Sequence, residues 1–255
     1  MLRRVSRSAT SLGSLCLLGL TLILVVPGNA NSPMADPLSL PHLAQRIAHH
    51  EQLRIVAFGS SSTEGVGATS PAASYPSQLQ AQLTRLLQGR DKVIVLNRGI
   101  GGQDADDMAV RISQVIAEHP DLIIWQTGSN DSLRGVPLER FVQETTDGIK
   151  QIRAANIDVM LVGPQLCLKL DGEHSSGLYR KALRAIGKDM QVPVIHRHEM
   201  MRHWLTEHVL TPEQMLAPDG LHMTDGGYAK LAEAIAQEIL HRTESLRVEN
   251  PSPAD

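Results

Sequence analysis

Short apolar runs, often β-branched, alternate along this chain with longer stretches in which apolar residues recur every three or four positions. The runs Leu53–Phe58, Val93–Leu96, Leu122–Trp125, Val159–Val162 and Val192–Ile195 end in Gly, Pro or polar residues and read as buried strands. Helical spacing runs through Tyr75–Leu87, Ala105–Ala117, Leu138–Ala154, Leu178–Met190 and Gly227–Leu240. Strands without polar alternation, each followed by an amphipathic stretch, predict an α/β protein: a five-stranded parallel sheet covered on both faces. Residues 31–50, rich in Pro, Ser and His, read as a lead-in, residues 51–243 as the folded domain, and residues 244–255 as a flexible tail.

The first thirty residues follow a different pattern. Arg3, Arg4 and Arg7 precede an apolar stretch from Leu15 to Val26, which Pro27-Gly28-Asn29-Ala30 then breaks. A run of about twelve residues makes a helix of roughly 18 Å, short of the ~30 Å bilayer core. We therefore expect residues 1–30 to be a secretory signal peptide cleaved near Ala30, with an uncleaved membrane anchor as the alternative. Cleavage takes away three arginines and no acid, shifting the formal charge from −3 to −6. It leaves Cys167 as the single cysteine, so no internal disulfide is expected in a periplasmic or secreted protein. With no basic block, nucleic acid is not an expected partner.

Ligands of such sheets meet the chain at the carboxyl ends of the strands, so chemistry is expected just after each apolar run. Three runs are followed by Gly59-Ser60-Ser61-Ser62-Thr63-Glu64-Gly65, Asn97-Arg98-Gly99-Ile100-Gly101-Gly102 and Gly128-Ser129-Asn130-Asp131, and Asp219-Gly220-Leu221-His222 comes near the end. Together they supply a hydroxyl, glycine N–H groups, an amide, and an Asp close to a His. A hydroxyl becomes a nucleophile when a base takes its proton, and His serves if a carboxylate fixes its tautomer. The oxyanion that follows needs fixed donors. Each feature alone has a plain structural reading: serines as helix caps, glycines as turns, Asp219 and His222 as a surface ion pair or an incomplete metal pair.

In order and spacing, Leu53 to Leu240 resembles the SGNH or GDSL hydrolases. The family's Gly-Asp-Ser-x-Thr-x-Gly block corresponds to residues 59–65, Thr63 and Gly65 fixing the register on Ser61 as nucleophile. Asn97-x-Gly99-x-x-Gly102 assigns an oxyanion N–H to Gly102, Gly-x-Asn-Asp assigns the side-chain donor to Asn130, and Asp-x-x-His assigns Asp219 and His222 to the triad. The Ser61 N–H completes the expected oxyanion hole. The resemblance implies a flavodoxin-like three-layer α/β/α sandwich and a serine ester hydrolase working through an acyl-enzyme. It implies no metal and no organic cofactor. Ser60 stands where the family usually has Asp; since that Asp is not the triad acid, Ser60→Asp is expected to give a folded enzyme with altered kcat.

Other groups receive plainer readings. His196, His198, His203 and His208 gather around Glu199, but their spacing matches no closed zinc pattern. Glu64, Asp104, Asp106 and Asp107 read as solvated loop or helix-start charges, Trp125 and Gln126 as packing and strand-end residues, and Cys167 as buried filler. Three functions stay open. They are hydrolysis of small or medium acyl esters (glycan acetyl groups, lysophospholipids and thioesters included), acyl transfer or deacetylation on a cell-envelope polysaccharide, and non-catalytic binding on the same scaffold. Specificity is expected in the loops at Gly65–Ser74, Ser132–Pro137 and Pro164–Gly177. Oligomeric state is not legible from the chain.

Overall fold

The computed structural model describes residues 38–167, 170 and 176–247. The expected signal peptide, residues 248–255 of the tail and part of the loop before Gly177 fall outside the described residues. Among the described residues, no helix is long and apolar enough to cross a membrane.

Five strands form the sheet: β1 (Leu53–Gly59), β2 (Val93–Gly99), β3 (Leu122–Gln126), β4 (Asp158–Val162) and β5 (Val194–Ile195). They lie in the order β2-β1-β3-β4-β5 and every neighbouring pair is parallel. This is the flavodoxin-like order expected from the chain. The helices are α1 (Pro41–Ala48), α2 (Ser61–Glu64), α3 (Tyr75–Leu86), α4 (Ala105–Ala109), α5 (Ile112–Ile116), α6 (Ser129–Arg134), α7 (Leu138–Ala154), α8 (Ser176–Asp189), α9 (Arg197–Thr206), α10 (Pro212–Met215) and α11 (Asp225–Arg247).

The continuous apolar runs split between two cores because successive strand residues point to opposite faces. Ile55, Ala57, Leu122, Ile124, Met160 and Val162 pack with Leu43 and Ile47 of α1, Leu79 and Leu83 of α3, and Leu231, Ile235 and Ile239 of α11. Val56, Phe58, Ile123, Trp125, Val159 and Leu161 pack with Met108, Ile112 and Val115 of α4 and α5, Phe141, Ile149 and Ile152 of α7, and Leu183 and Ile186 of α8. Three layers result.

The structure revises four element boundaries. Within the expected lead-in, α1 belongs to the fold: Pro41 presets its first turn, Leu43, Ala44 and Ile47 are buried, and Asp158 Oδ2 accepts the Leu43 N–H at 3.0 Å. The helix expected over Ala105–Ala117 breaks at Val110–Arg111. There Arg111 is held by the Arg98 carbonyl at 3.0 Å, by Gln103, and by the Phe58 ring 5.2 Å below its guanidinium. The last strand contracts to two residues because Pro193 has no N–H for a ladder. The final helix runs past the expected tail boundary at Glu244 to Arg247.

In this order the chain turns outward from β1 to β2 and then crosses back to β3, so the loops leaving β1 and β3 diverge and open a crevice at the carboxyl edge. Three of the motifs found in the sequence leave the sheet there.

Candidate active site

The nucleophile candidate sits on a sharp strand-to-helix turn. Gly59 ends β1, and a Cβ there would lie 2.4 Å from Thr63 Oγ1 and 2.9 Å from Gln126, so only glycine lets the turn close. Ser61 opens α2, with the Thr63 and Glu64 N–H groups returning to the Ser60 carbonyl, each at 2.9 Å. Gly65 stops the helix in the left-handed region at φ 104°.

Gln126 at the end of β3 braces this turn from below. Its Oε1 accepts the Ser60 N–H at 3.0 Å, the Ser60 hydroxyl at 3.0 Å and the Thr63 hydroxyl at 3.3 Å. A backbone N–H can only donate, which fixes the amide's orientation and leaves Nε2 buried with no hydrogen-bond partner among the described residues. The strand-end reading of Gln126 holds, and the residue also does what the chain's Ser60 cannot: it gathers the donors of the turn.

Across the crevice, Asp219, Gly220, Leu221 and His222 form a loop rather than a helix, with Gly220 at φ 65°. Asp219 Oδ1 accepts the Leu221 and His222 N–H groups at 2.9 and 3.0 Å, while Oδ2 lies 2.5 Å from His222 Nδ1. Burial opposes ionisation of Asp219, but hydrogen bonds from the His222 ring and from the two backbone N–H groups outweigh it and bring its pKa down to about 2. A carboxylate ionised at neutral pH can only accept, so Nδ1 carries the proton. In the neutral ring the lone pair then lies on Nε2, which is 2.9 Å from Ser61 Oγ.

The second and third motifs meet beside Ser61. Asn130 Nδ2 donates to the Gln103 carbonyl at 2.8 Å, next to Gly102 in the chain. Gly102 adopts φ 78°, where a side chain is strained although the space around it is open. Asp131, fully buried, accepts the Ala105 N–H at 2.9 Å and the Gly128 N–H at 3.1 Å, joining the starts of α4 and α6. Burial raises its pKa to about 6 against those two bonds. The acids before α4 behave as expected, Asp104 and Asp107 capping the helix reciprocally. Glu64 is exposed, as read from sequence, and also accepts the Gly101 N–H at 2.8 Å, anchoring the glycine loop to α2.

All the sequence-predicted site residues therefore come to one edge: Ser61, His222 and Asp219 in a hydrogen-bonded chain, with Gly102 and Asn130 alongside. In the histidine group, Glu199 pairs with Arg184 at 3.0 Å. Among the described residues no three His, Cys, Asp or Glu side chains are placed to hold a metal ion. Gln165 and Arg197, both buried and outside every motif in the chain, were given no role by the sequence, yet Gln165 bonds Ser129 and Leu221 of two motif loops.

The family model described as the non-GDSL lipase-like family matches residues 29–244. The chain belongs to this family. The description suits a first block that reads Gly59-Ser60-Ser61-Ser62 without the aspartate. An arylesterase of Vibrio mimicus is 29% identical over 168 residues, 66% of this chain and 78% of its own. The lipase/acylhydrolase from Enterococcus faecalis superposes with a TM-score of 0.60 at 26% identity, over 75% of this chain and 97% of its own. A two-domain esterase active on acetylated mannans shares the fold, with a TM-score of 0.66 at 18% identity over 84% of this chain, which spans 55% of that longer protein. The resemblance to the GDSL hydrolases holds, and the family member described here is an ester hydrolase of the esterase/acylhydrolase class.

Proposed function

We propose that the protein is an exported serine esterase that cleaves carboxylic esters through an acyl-enzyme on Ser61. The supporting observation is the continuous chain from Asp219 through the His222 ring to the Ser61 hydroxyl, with 2.5 and 2.9 Å contacts. As Ser61 Oγ attacks the ester carbonyl, its proton passes to His222 Nε2, and Asp219 stabilises the imidazolium at Nδ1. The negative charge that develops on the carbonyl oxygen is met by the Ser61 and Gly102 N–H groups and by Asn130, whose Nδ2 has a second N–H beyond the one given to Gln103. His222 returns the proton to the departing alcohol, which leaves as the carbonyl re-forms. Water then attacks the acyl-enzyme, with His222 again taking and returning the proton.

The substrate is an acyl ester of a small molecule, glycan or lipid. The fold shared with an esterase active on acetylated mannans supports a small acyl group on a glycan as the first substrate class to try. Export rests on the arginine-led apolar stretch before Ala30. Turnover of an aryl acetate tests the triad: Ser61→Ala and His222→Ala are each expected to lower kcat by about 10⁴-fold or more at unchanged folding. Unchanged turnover in both variants would remove the reading.

A further inference from the structure

Behind the site lies a buried guanidinium with no acid beside it among the described residues. Arg197, at the start of α9, is fully buried and donates from Nε to the Gly163 carbonyl at 2.9 Å and from Nη2 to Gln165 Oε1 at 2.6 Å. Its Nη1 has no hydrogen-bond partner, and among the described residues it has no carboxylate partner. Burial lowers its pKa to about 10 even though Tyr228, Tyr75 and Cys167 lie close enough to oppose the shift. An unpaired buried cation is costly in a fold held mainly by apolar packing. That cost calls for a role beyond packing.

Gln165 shows where the charge is directed. The residue is 3% exposed, and its Oε1 accepts a second hydrogen bond, from Ser129 Oγ at 2.9 Å. Its Nε2 donates to the Leu221 carbonyl at 3.2 Å. Arg197 can only donate and a carbonyl can only accept, so the amide has one possible orientation. Ser129 directly precedes Asn130, and Leu221 directly precedes His222. One side chain thus grips both loops across the crevice, and a cation on its oxygen polarises the amide and strengthens the N–H it gives to Leu221.

We propose that Gln165, polarised by Arg197, is a positioning residue that sets the His222 loop against the Asn130 loop and thereby the contact between His222 and Ser61. The inference rests on the serine esterase reading above. It assigns the buried pair a catalytic consequence distinct from stability.

Gln165→Glu separates the two. The carboxylate keeps both acceptor contacts and gives Arg197 a charged partner, so Tm stays level or rises. The donor to Leu221 is replaced by an oxygen facing an oxygen. With an aryl acetate, kcat should fall about tenfold with KM within about twofold, a size suited to a sub-ångström displacement of the base. Trapping of Ser61 by a fluorophosphonate should slow in parallel. A folded Gln165→Glu protein with kcat within twofold of the parent would overturn the proposal. If that variant does not fold, Ser129→Ala, which removes one bond of the brace, must show a kcat loss of about threefold at near-native Tm; unchanged kcat there would equally overturn it. Ser61→Ala, measured alongside, keeps the two claims apart. An inactive Ser61→Ala beside a fully active Gln165→Glu sinks only the brace, whereas an active Ser61→Ala sinks the underlying reading.

Discussion

The two ends of the parallel sheet both collect polar side chains, and they use them differently. At the amino end, a cleft of about 700 Å³ is lined by His42, Arg46, Glu51, His119, Asp121 and Asn156 among others. Its acids are occupied by the scaffold: Asp121 accepts from Arg46 at 3.0 Å and from the Arg54 N–H at 2.7 Å, and Asp158 behind it holds the Leu43 N–H. At the carboxyl end, acids and amides are also held, but their hold stops short of one group. Asp219 and Gln126 orient neighbours, and the result is a histidine ring nitrogen set against a serine hydroxyl. Cleft volume therefore does not locate the chemistry here. What distinguishes the carboxyl end is a histidine ring nitrogen facing a serine hydroxyl, with the Gly102 and Asn130 loops alongside.

Substitutions at the two ends should consequently separate activity from stability. Asn130→Ala is expected to lower kcat about 10²–10³-fold with little change in KM, the usual loss for one oxyanion donor. Arg46→Ala, at the amino end, is expected to leave kcat within about twofold, because exposed ion pairs contribute little. Steady-state kinetics on both variants checks the contrast, and equal losses would erase it.

Gly99→Ala comes next. A Cβ at Gly99 would lie 2.0 Å from the Glu64 backbone nitrogen, so strand β2 and helix α2 would have to part. We expect a loss of roughly 10 °C in Tm, from several kcal/mol of overpacking, together with lost activity. Thermal denaturation that matches the parent would show that the glycine loop can move away at no cost.

Gln126→Leu removes the acceptor beneath the nucleophile turn and leaves the buried Ser60 N–H unsatisfied. It should cost about 1–3 kcal/mol of stability and also reduce kcat. Ser60→Asp should be milder. Its carboxylate can itself accept the N–H donors of the turn, which releases Gln126 from the Ser60 N–H and lets the amide turn to offer Nε2 to the carboxylate. A folded Ser60→Asp enzyme with altered kcat is expected, and unfolding of that variant while Gln126→Leu folds normally would reverse the roles assigned to the two residues.

The smallest effect belongs to the amino end. Burial raises the Asp158 pKa to about 6, with the Leu43 N–H and His42 opposing and Asp121 adding to the rise. The folded value lies above the unfolded one, so the folded state binds the extra proton between about pH 4 and 6 and stability falls as pH rises through that window. Asp158→Asn keeps an oxygen for the Leu43 N–H and removes the charge. It should melt a few degrees above the parent at pH 7.5 and level with it at pH 4, by roughly 2–4 °C per kcal/mol. A difference independent of pH would show that the carboxylate titrates normally.

The parallel sheet was legible because a strand buried on both faces has no alternation to hide, and the candidate site because three motifs follow strand ends and a fourth comes near the end of the chain, in a fixed order. Less legible was α1: a two-turn amphipathic helix among Pro and His looks like a linker until Asp158, more than a hundred residues away, is seen to accept the Leu43 N–H. The break at Arg111 depends on contacts with Arg98, Gln103 and Phe58 that no local propensity encodes. Gln126, Gln165 and Arg197 carry no motif, and their importance comes from burial and from what they join. Sequence shows which groups can react; the buried amides that aim them become visible only when distant loops are side by side.

The most direct test of the central claim is covalent trapping with a fluorophosphonate, the modified residue located by peptide mass. The account predicts one label per chain, on Ser61, with turnover lost in proportion and no labelling in His222→Ala on the same timescale. A label on Ser60 or Ser62, or full labelling with turnover retained, would contradict it.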